Sequence, residues 1–205
     1  MGKLTDYLPK PLLPSLENPM IRNQIALLRP HVRQLAITVG YKKHLMYEAL
    51  KSQEIDYFLD VEGHGNAFFL NQIDLSKPDG AMVVITSDNL MEISIPNLWD
   101  EISTSRNSHM GALATSTLLT ADFLEVENSR IKGISNRQDV GIFGAGLQAL
   151  QFSDLRTTLH SQIETFHDLW TRMMDIDRLR VSNCEITKWH ALDTKQDLDA
   201  WVSRG

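Results

Sequence analysis

The sequence predicts an α/β fold, in which N-terminal helices and β-hairpins precede a glycine-rich strand–turn–helix unit. Apolar residues recur at helical spacing soon after a proline-rich start, and two segments that each contain two apolar runs around turn residues follow from Ile55. A later apolar run leads directly into two closely spaced glycines near residue 144. With 42% hydrophobic and 22% charged residues, the composition is that of an ordinary folded protein.

The first 19 residues carry four prolines, Pro9, Pro11, Pro14 and Pro19. Because proline fixes φ and lacks a backbone donor, this stretch should be held in extended turns. Residues 1–19 are therefore predicted to form an arm that lies on the body of the protein or on a partner.

Two helices should follow the arm. Pro30 marks a kink or boundary in the first, and a second helix is predicted over Lys42–Ser52, after Gly40. The apolar stripe of the first helix consists of Ile21, Ile25, Leu28, Val32 and Leu35.

The next two segments each have the pattern of a β-hairpin, in which two apolar runs flank a polar turn. The first spans residues 56–75, and the second spans residues 81–96 with its turn at Ser87-Asp88-Asn89. A further helix is predicted over Asn97–Glu125, either continuous or broken near Ser103–Ser108, and a polar linker follows it. The helices and hairpins together form a predicted α+β lobe over residues 20–125, of the kind used for substrate binding and dimerisation.

The segment after Asp139 predicts the phosphate-binding corner of a dinucleotide fold. In a G-x-G-x-x-[GA] turn the first glycine permits the tight turn, and the second lets backbone amides approach a pyrophosphate. The small last residue lets the helix and the strand pack closely. Gly144, Gly146 and Ala149 occupy these positions. Residues 139–205 are therefore predicted to form a partial Rossmann-like dinucleotide-binding lobe.

The string VGIFGAGLQA and the earlier stretch TSRNSHMGALATSTLLTADFL resemble the ornithine cyclodeaminase and mu-crystallin family. Members carry a T-x-x-R-T-A-A segment that opens a helix, and V-G-I-x-G-A-G-x-Q-A later in the chain. Arg106 fits the family arginine, and Gln148-Ala149 fits the end of the glycine loop. Residues 169–172 resemble the family's V-W-x-R strand end, and Ile163 would open that strand.

This resemblance implies an NAD(P)-dependent oxidoreductase that acts on an amino acid or a cyclic imine. Arg106 would be the catalytic-site residue that holds the substrate carboxylate, and Arg172 would favour NADP over NAD by meeting its 2′-phosphate. The implied cofactor-binding residues are Gly144, Ala145, Gly146, Gln148, Ala149 and Arg172. A homo-oligomer or a completing partner subunit is also expected. Gly146→Val should then abolish cofactor binding at little cost in stability.

An alternative comes from the apolar residues after Leu147, where neither Gly nor Pro interrupts the chain up to Arg204. Their spacing of three and four favours one long amphipathic helix over a helix, a turn and a strand. The stripe consists of Phe152, Leu155, Leu159, Ile163, Phe166, Leu169, Met173, Ile176 and Leu179. This interpretation predicts a non-enzymatic assembly or adaptor protein, in which Gly144 and Gly146 form only a hinge.

Composition and charge argue against several classes of function. The formal charge is −6, with 20 Lys and Arg scattered among 26 Asp and Glu, which disfavours nucleic acid as a partner. No stretch has the roughly 18 consecutive apolar residues of a membrane span, so a cytoplasmic location is expected. No metal site is predicted, because His160 and His167 lack a third ligand at a suitable spacing. Cys184 is expected to be a buried thiol.

Overall fold

The computed structural model describes residues 5–15, 18–77, 79–114, 122–135, 141–192, 194, 196, 197 and 199. Its centre is a six-stranded mixed sheet with strands from residues 81–85 to 179–181. Helices and three two-stranded sheets surround it in the described part of the chain. The predicted α/β class is confirmed. Within these residues, no helix has the length and apolar character needed to cross a membrane.

The N-terminal part contains two helices, a minimal antiparallel strand pair and a parallel strand pair. In chain order these are β1 (Pro14–Ser15), β2 (Asn18–Pro19), α1 (Met20–Leu28), β3 (Ala36–Val39), α2 (Lys43–Leu50) and β4 (Tyr57–Asp60). β1 and β2 pair antiparallel, whereas β3 and β4 run parallel. The helices and β3 bury one apolar cluster, which includes Ile25, Val39 and Leu50.

The remaining elements build the central sheet and the layers on its two faces. They are β5 (Ala81–Ile85), β6 (Asn89–Ile93), α3 (Ile95–Ser105), β7 (Ser108–Ala114), β8 (Phe123–Glu127), β9 (Arg130–Ser135), β10 (Ile142–Gln151), α4 (Phe152–Thr158), α5 (Phe166–Asp175), β11 (Leu179–Val181) and β12 (Ile186–Ala191). The sheet order is β5-β10-β7-β11-β9-β8, and only β7 and β11 are parallel neighbours. β8 also reaches β10, where Phe123 pairs with Phe143.

The two N-terminal helices are confirmed. α1 ends at Leu28, and a 3-10 turn over Arg29–His31 places Pro30 at the predicted boundary. The first predicted hairpin is wrong, because β4 pairs with β3 and the second apolar run forms a 3-10 helix over Phe68–Gln72. Both strands of the second hairpin exist, but they separate after the turn: β5 pairs with β10, and β6 pairs with β12.

The predicted helix over Asn97–Glu125 ends at the allowed break near Ser103–Ser108, and its continuation as a helix is wrong, because the described residues after the break form strands. Ser94 caps α3 by accepting a hydrogen bond from the Asn97 amide, and Arg106 ends the helix with a left-handed φ of 55°. β7 then begins at Ser108 and lies between β10 and β11 in the sheet. Its small residues fit an interior strand as well as a closely packed helix. Residues 115–121 lie outside the described part of the chain.

The predicted long helix after Leu147 is also wrong. α5 starts with a capping box, in which the Thr165 hydroxyl accepts from the Asp168 amide and the Asp168 carboxylate accepts from the Thr165 amide. Ile163 lies between α4 and α5, where Asn71 hydrogen bonds to both its amide and its carbonyl. The second-strand assignment at this point is therefore wrong as well. The stripe looked continuous because α4, α5 and β11 bury their apolar sides in the same cluster.

The glycine segment is a strand, not a strand–turn–helix corner. β10 is one strand over Ile142–Gln151, with a bulge between Gly144 and Gln148 that interrupts its pairing to β7. Gly146 has a φ of +71°, which only glycine adopts readily, and uses it to form the bulge. A Cβ there would overlap Thr86 Oγ1 and Asn89 Nδ2. The expectation that Gly146→Val costs little stability is therefore wrong. The division into units 1–19, 20–125 and 139–205 stays a prediction.

Gly146→Ala should destabilise the protein more than Gly141→Ala does. Both glycines have a φ of +71°, but among the residues that the structure describes no atom would lie within 4 Å of a Cβ at Gly141. Gly141→Ala should therefore lose only the free energy that a residue with a Cβ pays for a positive φ, about 1 kcal/mol. Overlap with the Thr86 and Asn89 side chains should add about 1–3 kcal/mol for Gly146→Ala. Equal free energies of unfolding in urea denaturation would contradict this assignment of the bulge.

Candidate functional site

A polar turn over residues 86–89, here called the Asp88 turn, connects β5 to β6 and carries the candidate site. Asp88 Oδ2 lies 3.1 Å from Lys10 Nζ, and Asp88 Oδ1 accepts a hydrogen bond of 2.9 Å from Asn89 Nδ2. The Lys10 and Asp88 side chains are 24% and 36% exposed. A ligand in solution can therefore reach both charges, although each is held by a partner.

Lys10 reaches this turn because the proline-rich segment packs on the body of the protein. It lies in a 3-10 helix over Lys10–Leu12, between Pro9 and Pro11. Leu12 at the end of this helix and Leu13 after it are buried. The Leu13 carbonyl accepts a hydrogen bond from the Met20 amide, the first of α1. The prolines fix φ on both sides of Lys10, so its ammonium group projects from a backbone with little freedom.

The backbone of the Asp88 turn is anchored from three further elements. The Gly146 carbonyl in the β10 bulge accepts a 2.9 Å hydrogen bond from the Thr86 amide. The Leu192 amide, directly after β12, donates to the Asp88 carbonyl at 2.9 Å. From α1, the Gln24 side-chain amide donates to the carbonyls of Thr86 and Asn89 at 2.9 and 2.8 Å. The turn is thus fixed at both ends and in the middle.

The site combines a lysine ammonium group, a carboxylate and amide dipoles at the end of a strand. Asp88 comes three residues after the last residue of β5, at that strand's carboxyl end. β5 runs antiparallel to its neighbour β10, so the rule that ligands bind beyond the carboxyl ends of parallel strands does not apply, and the site is defined by its charges and anchors. Lysine is a common phosphate-binding residue, which acts as a compact positive charge. No group of three His, Cys, Asp or Glu residues that could hold a metal ion occurs in the described part of the chain.

Only one of the residues implied by the family resemblance touches this site. Gly146 contributes its carbonyl, whereas Gly144, Ala145, Gln148 and Ala149 are interior positions of β10. Ala145, Gln148 and Ala149 are buried, and Gln148 Oε1 accepts a hydrogen bond of 3.1 Å from Trp170 Nε1. The phosphate-binding corner predicted for these residues is absent from β10. That they bind NADP or NAD stays a prediction.

The two predicted arginines lie elsewhere on the surface. Arg106 is exposed at the C-terminal end of α3. Arg172 lies in α5 rather than at a strand end, and its guanidinium donates to the carbonyls of Thr158, Ser161 and Gln162. It lines a pocket of about 280 Å³ between α4 and α5, which shares no residue with the Asp88 turn. Those three hydrogen bonds give Arg172 a structural task, which is to hold the loop between the two helices.

Sequence reasoning missed Lys10, Gln24 and Asp88 as site residues. Asp88 was assigned to a hairpin turn, and its place after the apolar run AMVVI is the same for a plain turn residue and for a site residue. Gln24 lies within the buried stripe of α1. A polar residue at such a position indicates a buried hydrogen-bond partner, and this could have marked it for attention. Lys10 had no such signal, because only the fold brings it to a residue 78 positions later.

A second polar cluster joins α3 to β7 around the buried side chain of His109. His109 on β7 has Nε2 at 2.5 Å from Ser105 Oγ and Nδ1 at 3.4 Å from Glu101 Oε1. Glu101 also accepts hydrogen bonds from Ser182 Oγ at 2.5 Å and from the Asn183 amide at 2.7 Å. Burial lowers the pKa of His109 below its ordinary value of 6.5, and this outweighs the opposing effect of Glu101. The cluster joins α3 to the segment between β11 and β12.

Comparison with known proteins gives matches at the level of structure. No protein-family model and no curated protein matches the sequence. A protein named as a glucose-1-phosphate thymidylyltransferase from Bacillus anthracis, solved with sucrose, is similar with a TM-score of 0.82 and 16% identity, over 100% of this chain and 89% of that one. A UDP-glucose pyrophosphorylase solved with UDP-glucose has a TM-score of 0.73 and 16% identity, over 100% and 92%. HddC from Yersinia pseudotuberculosis has a TM-score of 0.72 and 13% identity, over 96% of this chain and 90% of that one.

These similarities show the fold of the chain and correct the earlier interpretation. The fold is that of the nucleotidyltransferases among these structures, not that of ornithine cyclodeaminase and mu-crystallin. The predicted NAD(P)-dependent oxidoreductase acting on an amino acid or imine is therefore wrong. The Rossmann character holds only in the general sense of a mixed α/β sheet, without a dinucleotide-binding corner at Gly144. The adaptor alternative loses its basis because residues 152–181 form two helices and a strand.

His109 should make the stability of the protein depend on pH. Its folded-state pKa is lowered, so the unfolded chain binds a proton more readily than the folded one as pH falls below 6.5. The free energy of unfolding should then decrease by about 1.4 kcal/mol for each pH unit between the unfolded and folded pKa values. Above pH 7.5 this contribution should be constant, because His109 is neutral in both states.

Urea denaturation of the wild type and of His109→Gln between pH 8 and pH 5 tests this dependence. Subtracting the free energy of unfolding of the variant from that of the wild type cancels the titrations of groups that do not interact with His109. The wild type should lose stability relative to the variant as pH falls below 6.5. A difference that stays constant from pH 8 to pH 5 would show that His109 does not titrate differently on folding.

Proposed function

We propose that this chain is a sugar-phosphate nucleotidyltransferase whose site is the Asp88 turn together with Lys10. The single observation that carries the proposal is the reachable Lys10–Asp88 pair, held at a strand end by α1, β10 and the residue after β12. The fold supports it, because the similar structures include a thymidylyltransferase and a pyrophosphorylase. The UDP-glucose held by one of them indicates the class of small molecule to test first.

In such a reaction, a phosphate oxygen of the sugar phosphate attacks the α-phosphorus of a nucleoside triphosphate. The bond from that phosphorus to the oxygen that bridges to the β-phosphate breaks, and pyrophosphate leaves with the electron pair. No net proton transfer is needed, so the protein mainly positions the reactants and stabilises charge. The Lys10 ammonium is the group of this site that can neutralise negative charge on the phosphates.

Asp88 has two tasks in this proposal. It keeps the Lys10 ammonium in place before the substrate binds, which lowers the cost of ordering a flexible side chain on binding. It is also the carboxylate that the site offers to a divalent cation carried by the nucleotide, since Mg²⁺ commonly uses one or two protein carboxylates together with substrate phosphates. Such a cation would add charge neutralisation at the phosphates.

Lys10→Ala should lower kcat/KM for pyrophosphate release from UTP or dTTP with glucose 1-phosphate. A loss of about 10- to 100-fold is expected, the range for one charge-assisted hydrogen bond. Asp88→Asn should reduce activity as well, because it removes the partner of Lys10 and the carboxylate while keeping the shape of the side chain. The rate of pyrophosphate release and calorimetric titration with UDP-glucose provide the two measurements.

Lys188→Ala is the matched control for this experiment. Lys188 also pairs with a carboxylate, Glu92 at 2.7 Å, but this pair lies on the surface between β12 and β6 and is 65% and 58% exposed. Its removal should leave turnover and affinity unchanged. If the wild type neither releases pyrophosphate nor binds UDP-glucose at millimolar concentration, or if both lysine variants behave alike, the proposed function is wrong.

A further inference from the structure

We infer that Gln24 is a positioning residue, which holds the Asp88 turn in register with Lys10; its effect on turnover rests on the proposed function. Gln24 is 6% exposed on α1, on the face that also buries Ile21, Ile25 and Leu28. An apolar side chain would be the ordinary occupant of such a position. A buried amide costs free energy unless its hydrogen bonds are made, so its partners indicate its task.

Both partners of Gln24 belong to the Asp88 turn. Its Nε2 donates to the Thr86 carbonyl at 2.9 Å and to the Asn89 carbonyl at 2.8 Å. An amide NH₂ group has two hydrogens, and the two hydrogen bonds use both of them. Thr86 and Asn89 are the first and last residues of the turn, so a single side chain fixes the separation of its ends.

Gln24 is connected to Lys10 through a short, well-packed stretch of chain. The Met20 amide at the start of α1 donates to the Leu13 carbonyl, three residues after Lys10. Leu13 and Met20 are 3% and 0% exposed. The N-terminal segment therefore holds Asp88 in two ways: Lys10 binds its carboxylate, and Gln24 binds the backbone on both sides of it. This arrangement couples the position of the ammonium to that of the carboxylate.

Gln24→Met tests the role because it keeps the length and apolar bulk of the side chain and removes both donors. A cavity of about 30 Å³ lined by Gln24 and Leu90 leaves space for the thioether. Ile25→Val and Leu28→Ala, on the same face of α1, are the controls. They remove only packing, and their two losses of stability should bracket that of Gln24→Met.

Two readouts separate positioning from simple stabilisation. In the ligand-free protein, the amides of Asn89 and Leu192 bond to the carbonyls of Thr86 and Asp88. Their hydrogen exchange should become roughly tenfold faster in Gln24→Met, a factor typical of one lost hydrogen bond, and should change little in the controls. In the activity assay, kcat should fall about tenfold in Gln24→Met, with a smaller change in KM, and should stay near the wild-type value in both controls.

Each outcome decides one of the two ideas. If exchange and kcat in Gln24→Met follow the same dependence on stability as the controls, Gln24 only stabilises the fold and the inference is overturned. If the wild type has no transfer activity and no affinity for UDP-glucose, the proposed function fails. The exchange of Asn89 and Leu192 then still decides whether Gln24 holds the turn.

Discussion

The bulge of β10 at Gly146 is the constraint on which both the sheet and the candidate site depend. β10 pairs with β5 up to Leu147 and Ile85, and the Gly146 carbonyl then accepts a hydrogen bond from the Thr86 amide. At this point the chain leaves the β5–β10 ladder, forms the Asp88 turn and continues as β6, which pairs with β12 instead. An ordinary residue at position 146 would meet Thr86 and Asn89 and could not adopt the φ of +71° without strain. The glycine is therefore required for the path of the backbone.

The alternation of β10 explains how one strand supports two layers. Ala145, Leu147 and Ala149 pack in the cluster with α3 and Ile186, whereas Leu150 belongs to the cluster with α4 and α5. Gln148 lies on the same side as Leu150 and accepts a hydrogen bond from Trp170 of α5. Successive side chains of a strand point to opposite faces, so a strand covered on both faces has an almost continuous apolar sequence. The small residues of GAG lie at the bulge itself, where β10 and the Asp88 turn approach closely.

The sequence allowed local elements to be predicted better than their partners. α1 and α2 could be predicted because helical periodicity and Pro30 are local signals, and β5 and β6 because each is a compact apolar run. The pairing of β5 with β10, about 60 residues away, has no local signature, so the short turn between β5 and β6 suggested a hairpin. The G-x-G pattern misled for a physical reason. A positive φ is needed equally by a phosphate-binding turn and by a bulge, and sequence alone does not distinguish them. The site residues were missed because long-range contacts assemble them.

The Lys10–Asp88 pair contributes little to stability, which is compatible with the binding role proposed for it. Both side chains are partly exposed, and ion pairs of this kind contribute little to the free energy of folding, typically about 0–1 kcal/mol. Yet four parts of the chain converge on the turn: the Lys10 helix, α1, β10 and the residue after β12. The Gly146 carbonyl belongs to the bulge that sets the path of the sheet. The bonds from Gln24 hold the backbone of the turn, which the apolar clusters on the two faces of β10 do not reach. In the proposed function, fixed charges at this reachable turn assist recognition. An ammonium and a carboxylate that are already held in place reduce the cost of ordering their side chains when a charged ligand binds.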